Sequence, residues 1–258
     1  TTAPYSYTWS GVADGCYTLK AVAVDDGGYN AEDEIDITVG IGCPQSPFYG
    51  TPMNLPGTIE VEDFDLGKSG EAYYDADAGN SGGVYRTDVD VDIEACGEGG
   101  YDIGWINPDE WLEYTVNVAA AGTYTFEIRA ASMTTGGTFH IEFDGVDVTG
   151  STFIPVTGDW QNWTTVQISN VPLDAGEQVM RFYSESDGYN LNFIEVIEPP
   201  VVTIDIESNC QKAVVTLNTQ DTELKDINWT NGMTGNVIEL ETSDYIYVEV
   251  IDEYGCYT

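Results

Sequence analysis

The chain has very little positive charge: 7 Lys plus Arg stand against 45 Asp plus Glu in 258 residues, a net charge of −38. This balance excludes nucleic acid and anionic membrane surfaces as partners, because both are bound through basic patches that release counterions. Histidine is scarcer still. His140 is the only one, no Ser or Cys nucleophile motif accompanies it, and triad chemistry is not expected. Carboxylates are so abundant that acid pairs of the glycosidase kind carry no signal, and no hydrolase signature appears. No apolar run is long enough for a membrane-spanning helix, and no basic and apolar leader opens the chain. Thr1 stands inside a strand-like pattern, so the chain is expected to be a piece of a longer protein. Five cysteines lack C-x-x-C spacing, which argues against zinc and redox motifs, and their odd number leaves at least one unpaired. What is plentiful is 28 Gly, 17 Tyr and many Thr and Val, the composition of short strands joined by tight turns. An all-β protein is expected.

The stretch GYDIGWINPDEWLEYTVNV, residues 100–118, organises the rest. In its second half Leu112, Tyr114, Val116 and Val118 take one face, and Trp111, Glu113, Thr115 and Asn117 take the other, as in a half-buried strand. Ile106-Asn107-Pro108-Asp109 is a turn that separates it from the strand before. Tyr124, Phe126, Ile128 and Ala130 alternate in the same way, as do Phe139, Ile141 and Phe143. Many such strands between Gly, Asp and Asn turns predict a jelly-roll β-sandwich over residues 58–198, large enough to fold without disulfides. Residues 44–57 hold four prolines among polar and glycine residues and read as a stiff linker. Residues 1–43 read as the last strands of a small sandwich, and residues 199–258, after Pro199-Pro200, as a second small sandwich.

The run GWINPDEWLEYTV resembles the signature of family 6 carbohydrate-binding modules. That resemblance covers residues 58–198 and implies non-catalytic binding of a polysaccharide, of β-glucan, xylan or agarose type, which targets an attached secreted enzyme or surface protein to its polymer. The alternative is a spacer or adhesin segment of a surface protein with calcium-stabilised modules. The run APYSYTWSGVADGCYTLKAVAVDDGG resembles the closing half of bacterial immunoglobulin-like repeats, where a Cys16–Cys43 bond would be possible. NWTNGMTGN and YIYVEVIDEYGC resemble PKD-like and Ig-like repeats of secreted and cell-surface Bacteroidetes proteins. The last resemblance implies a Cys210–Cys256 bridge, an extracellular location and export by type IX secretion machinery.

A sugar site needs aromatic rings against the C–H faces of a pyranose and a few fixed polar groups. Tyr85 lies in the glycine-rich GNSGGVYRTD, and Trp160 in TGDWQNW, where Trp163 is assigned to the core. In GYNLNFIEV, Leu191 and Phe193 are expected to alternate inward and Asn190 and Asn192 outward. By resemblance Tyr85 and Trp160 are the clamp, Asn190 is the polar anchor and Glu71 a second hydrogen-bonding group. For each aromatic, core or rim packing is the competing explanation. The family also implies a structural Ca²⁺, with Glu60 and Glu62 of TIEVEDFD and Glu195 as ligands, against the alternative of a solubilising acidic edge. Asp88, Asp90 and Asp92 do not form an EF-hand, whose twelfth position would fall on Gly99. Some family members hold a second ligand on the concave face; here Glu113, Glu127, Arg129, His140 and Glu142 are expected there, and a merely polar surface explains them equally well.

Overall fold

Alternation along the chain is converted into two sheets that face each other. The computed structural model describes residues 6–13, 15–39, 44–198, 202–208, 213–219, 224–230, 232–240 and 247–252. Strands β1 (Gly15–Val24) and β2 (Asn30–Val39) form an antiparallel hairpin. The central unit then runs through β3 (Met53–Leu55), β4 (Gly57–Glu60), β5 (Tyr73–Tyr74), β6 (Ile93–Ala95), β7 (Tyr101–Ile103) and β8 (Trp111–Val118). It continues with β9 (Gly122–Ala131), β10 (Gly137–Phe143), β11 (Val146–Asp147), β12 (Thr152–Ile154), β13 (Thr164–Leu173), β14 (Gly176–Ser184) and β15 (Asn190–Ile197). Beyond it lie β16 (Val202–Ser208), β17 (Ala213–Thr219), β18 (Leu224–Trp229), β19 (Val237–Leu240) and β20 (Val248–Asp252). Among the described residues there is no α-helix.

One sheet of the central unit has the order β11-β10-β14-β8-β3, with β12 on β10 and β5 on β8; the other has β13-β9-β15-β7-β6, with β4 on β15. Together they make a jelly-roll β-sandwich. Its core is the inward set of each strand: Tyr114 and Val116 of β8, Phe126 and Ile128 of β9, Phe139 and Ile141 of β10 and Phe182 of β14 are almost wholly buried. Fully burying one such side chain is worth about 1.5–3 kcal/mol, so this cluster dominates the stability of the unit. Tyr114 still needs a partner for its hydroxyl, which donates to Val61 O at 2.8 Å.

Three expectations change here. Residues 44–57 are not simply a linker: Met53–Leu55 pairs parallel with β8, Leu55 is buried, and Ser46 bridges to Leu66. The proline-rich composition hid a strand three residues long. Glu113 and Thr115, expected on an open face, are buried as well, because Asp65 accepts from Thr115 N at 2.9 Å and Glu113 pairs with Arg181 at 2.5 Å. The five polar residues of the expected concave face divide between the sheets: Glu113 is on β8 and His140 and Glu142 are on β10, whereas Glu127 and Arg129 are on β9 of the other sheet. Residues 202–252 carry a small second core of Val215, Leu217, Trp229, Ile238 and Val250. Cys43, Cys210 and Cys256 lie outside the described residues, and both expected bridges with them. Cys96 is buried with a free thiol.

Candidate functional site

An open cavity of about 730 Å³ lies at one end of the sandwich, between the loop that precedes β8, the loops after β9 and β12, and the start of β15. Trp105 and Trp160 line it, 53% and 38% exposed. Two large apolar rings left this open to solvent in a concavity suit a ligand with apolar faces. Trp105 has φ +50°, the left-handed region that a tryptophan rarely enters, which places its ring at the rim and not in the sheet register. Gly104 before it admits a close neighbour: a Cβ there would stand 3.2 Å from the amide of Asn190.

The polar part of the cavity comes from Glu94, Gln161 and Asn190, with buried Asp102 behind them. Asn190 Nδ2 donates to Glu94 Oε1 and Asp102 Oδ1, both at 3.0 Å. Gln161 Nε2 donates to Asp102 Oδ2 at 2.9 Å and to Glu94 Oε1 at 3.3 Å, and its Oε1 accepts from Gly97 N at 2.7 Å. Burial pushes the Asp102 carboxyl up to about 6, against the opposing hydrogen bond from Gln161 and with Glu94 adding repulsion.

Of the sequence-predicted sugar residues, the structure brings Trp160 and Asn190 together in this cavity and places Tyr85 and Glu71 elsewhere. Tyr85, at φ +62°, turns its ring onto Tyr101 with centroids 4.6 Å apart and donates its hydroxyl to Asp63 Oδ1 at 2.5 Å. Its loop-tip position does not aim it at Trp160, because the hydroxyl finds a carboxylate on the other side. Glu71 pairs with Lys68 at 3.4 Å on the surface. Trp105, and not Tyr85, lines the cavity together with Trp160. The sequence signal of Trp105 was a tryptophan separated only by Ile106 from the Asn107-Pro108-Asp109 turn, outside any strand alternation.

Asn190 and Asn192 are both buried, and Phe193 is only half-buried. The pairing of β15 with β9 shifts register between Leu191 and Ile194, so the inward set passes from Leu191 to Ile194 and Val196. Trp163 is half-buried outside the core cluster, with a buried Nε1 that lacks a hydrogen-bond partner.

A second concavity, of about 520 Å³, is lined by Glu60, Glu62, Tyr85, Glu98, Tyr101 and Asn192 among others. Glu62 is 4% exposed, its Oε2 is buried without a partner, and burial drives its carboxyl up to about 7. An orphaned buried carboxylate oxygen beside Glu60 fits a hard cation that prefers oxygen donors. Glu195 does not line this concavity: Glu60 pairs with Phe193, and Glu195 lies opposite Thr58, two residues along the same strands. Among the described residues no group of three or more His, Cys, Asp or Glu is placed to hold a metal.

Residues 81–198 match the family described as carbohydrate binding module (family 6). Over 104 residues the chain is 31% identical to the clotting factor G alpha subunit of Tachypleus tridentatus, covering 40% of this chain and 15% of that protein, so it spans a small part of that curated relative. Among solved structures, the C-terminal CBM6 of LamC, a marine laminarinase from Zobellia galactanivorans, is 31% identical, with 55% of this chain and 98% of that one covered and a TM-score of 0.44. The module CBM6cm-2 from Cellvibrio mixtus lichenase 5A, in complex with cellotriose, is 31% identical, with 55% and 97% covered and a TM-score of 0.43. A β-1,3-glucan-binding CBM6 from Bacillus halodurans is 25% identical, with 57% and 100% covered and a TM-score of 0.44.

Proposed function

We propose, from the premise that residues 81–198 are a family 6 carbohydrate-binding module, that this chain binds a polysaccharide without acting on it chemically. One observation carries the reading: Trp105 and Trp160 stand exposed in a single cavity whose polar floor is Asn190, Glu94 and Gln161. The rings take the C–H faces of a sugar, and the floor takes its hydroxyls. Binding of this kind holds an attached polypeptide at its polymer and raises its effective concentration there. The polymer is of β-glucan, xylan or agarose type, since open tryptophan faces suit neutral pyranose chains. The chain belongs to a secreted or cell-surface protein, with residues 1–43 as an Ig-like spacer and residues 199–258 as a PKD-like module suited to type IX export. Glu60 and Glu62 would hold a structural Ca²⁺, which would supply the positive charge that the orphaned Glu62 oxygen lacks.

The test is calorimetric titration of the chain with β-glucan, xylan and agarose oligosaccharides, beside Trp160→Ala. Saturable binding that the substitution abolishes is expected. Absence of binding to all three sugars by the parent removes the reading.

A further inference from the structure

The floor of the tryptophan-lined cavity offers acceptors where a ligand would meet it. Asn190 and Gln161 both turn their N–H groups toward Glu94 and Asp102. Glu94 and Asp102 take the N–H donors of both amides, so these bonds fix the orientation of both. Asn190 therefore has its carbonyl oxygen left to present to a ligand, while the carbonyl of Gln161 is already taken by Gly97 N. Around this floor Glu94, Asp159 and Asp187 add carboxylates to the lining, and neither Lys nor Arg is among the lining residues. The chain as a whole deepens the negative potential, with its net charge of −38.

Resting on the carbohydrate reading, we infer that this cavity sorts glycans by charge, with Glu94, Asp159 and Asp187 as the specificity-determining residues. A sugar bearing a free amino group binds more tightly than its neutral counterpart, and a uronate is refused. The ammonium group of an amino sugar brings three donors and a positive charge to a surface of acceptors. The carboxylate of a uronate brings acceptors and negative charge to the same surface, and nothing in the lining neutralises it. Asp159 and Asp187 are exposed, so each contributes a modest, salt-screened share.

The experiment uses the whole chain and three matched probes at about pH 6, where the sugar amine is protonated: β-1,4-linked tetramers of glucosamine, glucose and glucuronic acid. Calorimetry in about 0.05 M salt is expected to give at least roughly fivefold tighter binding of the glucosamine tetramer than of the glucose tetramer, and no saturation with the uronate. Raising salt to about 1 M, where the Debye length is near 3 Å, is expected to shrink the ratio toward one. The double variant Asp159→Asn, Asp187→Asn is expected to shrink it at low salt as well. Asn keeps the acceptor for the bond from Gln161 N to Asp159 Oδ1, at 3.0 Å, so the loop is preserved. Equal affinity for amino and neutral tetramers at low salt, or a uronate as tight as glucose, overturns charge sorting while the binding of neutral sugar leaves the carbohydrate reading standing. Silence from all three probes overturns charge sorting as well, and the carbohydrate reading then stands or falls by the titration with β-glucan, xylan and agarose oligosaccharides.

Discussion

Trp105 is a tryptophan where the backbone would ordinarily ask for glycine. Left-handed φ costs a non-glycine residue about 1–2 kcal/mol, and such strain is kept where a side chain must point somewhere particular. Trp105→Ala is expected to weaken sugar binding roughly ten- to a hundredfold, in line with about 1.5–3 kcal/mol for a large apolar contact. Tyr85→Ala is expected to leave affinity within about twofold, since Tyr85 faces Asp63 and Tyr101; a titration series separates the two, and comparable losses would restore Tyr85 to the clamp. The sequence placed Trp160 and Asn190 in the same cavity because each lies at an obvious strand entry, Trp160 in the polar loop before β13 and Asn190 as the first residue of β15. Trp105 was not read, because a left-handed φ leaves no mark in periodicity and only its place just before the turn pointed to it. Arg86 was equally hidden. It is a buried cation held between the rings of Phe48 and Phe64, 5.2 and 3.7 Å from their centroids, and it donates to Phe64 O and Asp65 O. Arg86→Ala would strip buried carbonyls of their donor, and a loss of about 2–4 kcal/mol is expected in denaturant unfolding.

At the scale of elements, the strands that alternate over seven or more residues were readable, and β8, β9 and β10 bury the residues that the pattern assigns to the core. Two kinds of element were not. β3 is too short to show a period and is paired only because β8 offers an edge, so its propensity was overridden by tertiary contact. The irregularity in β15 shifts the inward set after Leu191, and one extra residue reverses every face that alternation assigns beyond it. The first of these gives residues 44–57 a structural duty that their composition conceals. Leu55 is 1% exposed in the main core, and Leu55→Ala is expected to cost about 2–5 kcal/mol. If thermal unfolding of that variant matched the parent, the segment would be a tether after all.

For the whole molecule, a net charge of −38 means that folding gathers like charges. Some of them are driven into poor surroundings. Asp102, fully buried, has its carboxyl raised to about 6, and Asp75 is raised to about 7 by burial, with Glu110 adding repulsion. Each is above the ordinary value near 4 for an aspartate in the unfolded chain. A raised carboxyl binds its proton more tightly in the fold, so its stabilising contribution is complete below about pH 4 and is lost as pH rises through 6 to 7. For Asp102 the loss is on the order of 3 kcal/mol. The Ca²⁺ proposed for Glu60 and Glu62 would act in the opposite sense at the other concavity, because it would need ionised oxygens and would stabilise only the folded state. In chelator, calorimetric scans are therefore expected to give a higher Tm near pH 5 than near pH 8. Saturating Ca²⁺ is expected to raise the Tm near pH 8 by several degrees, the equivalent of about 2.7 kcal/mol at a hundred times Kd. Glu62→Gln should abolish that calcium response while leaving the acid-side stabilisation by Asp102 in place. A Tm near pH 8 that ignores both calcium and chelator would reassign the acidic edge at Glu60 and Glu62 to solubility alone.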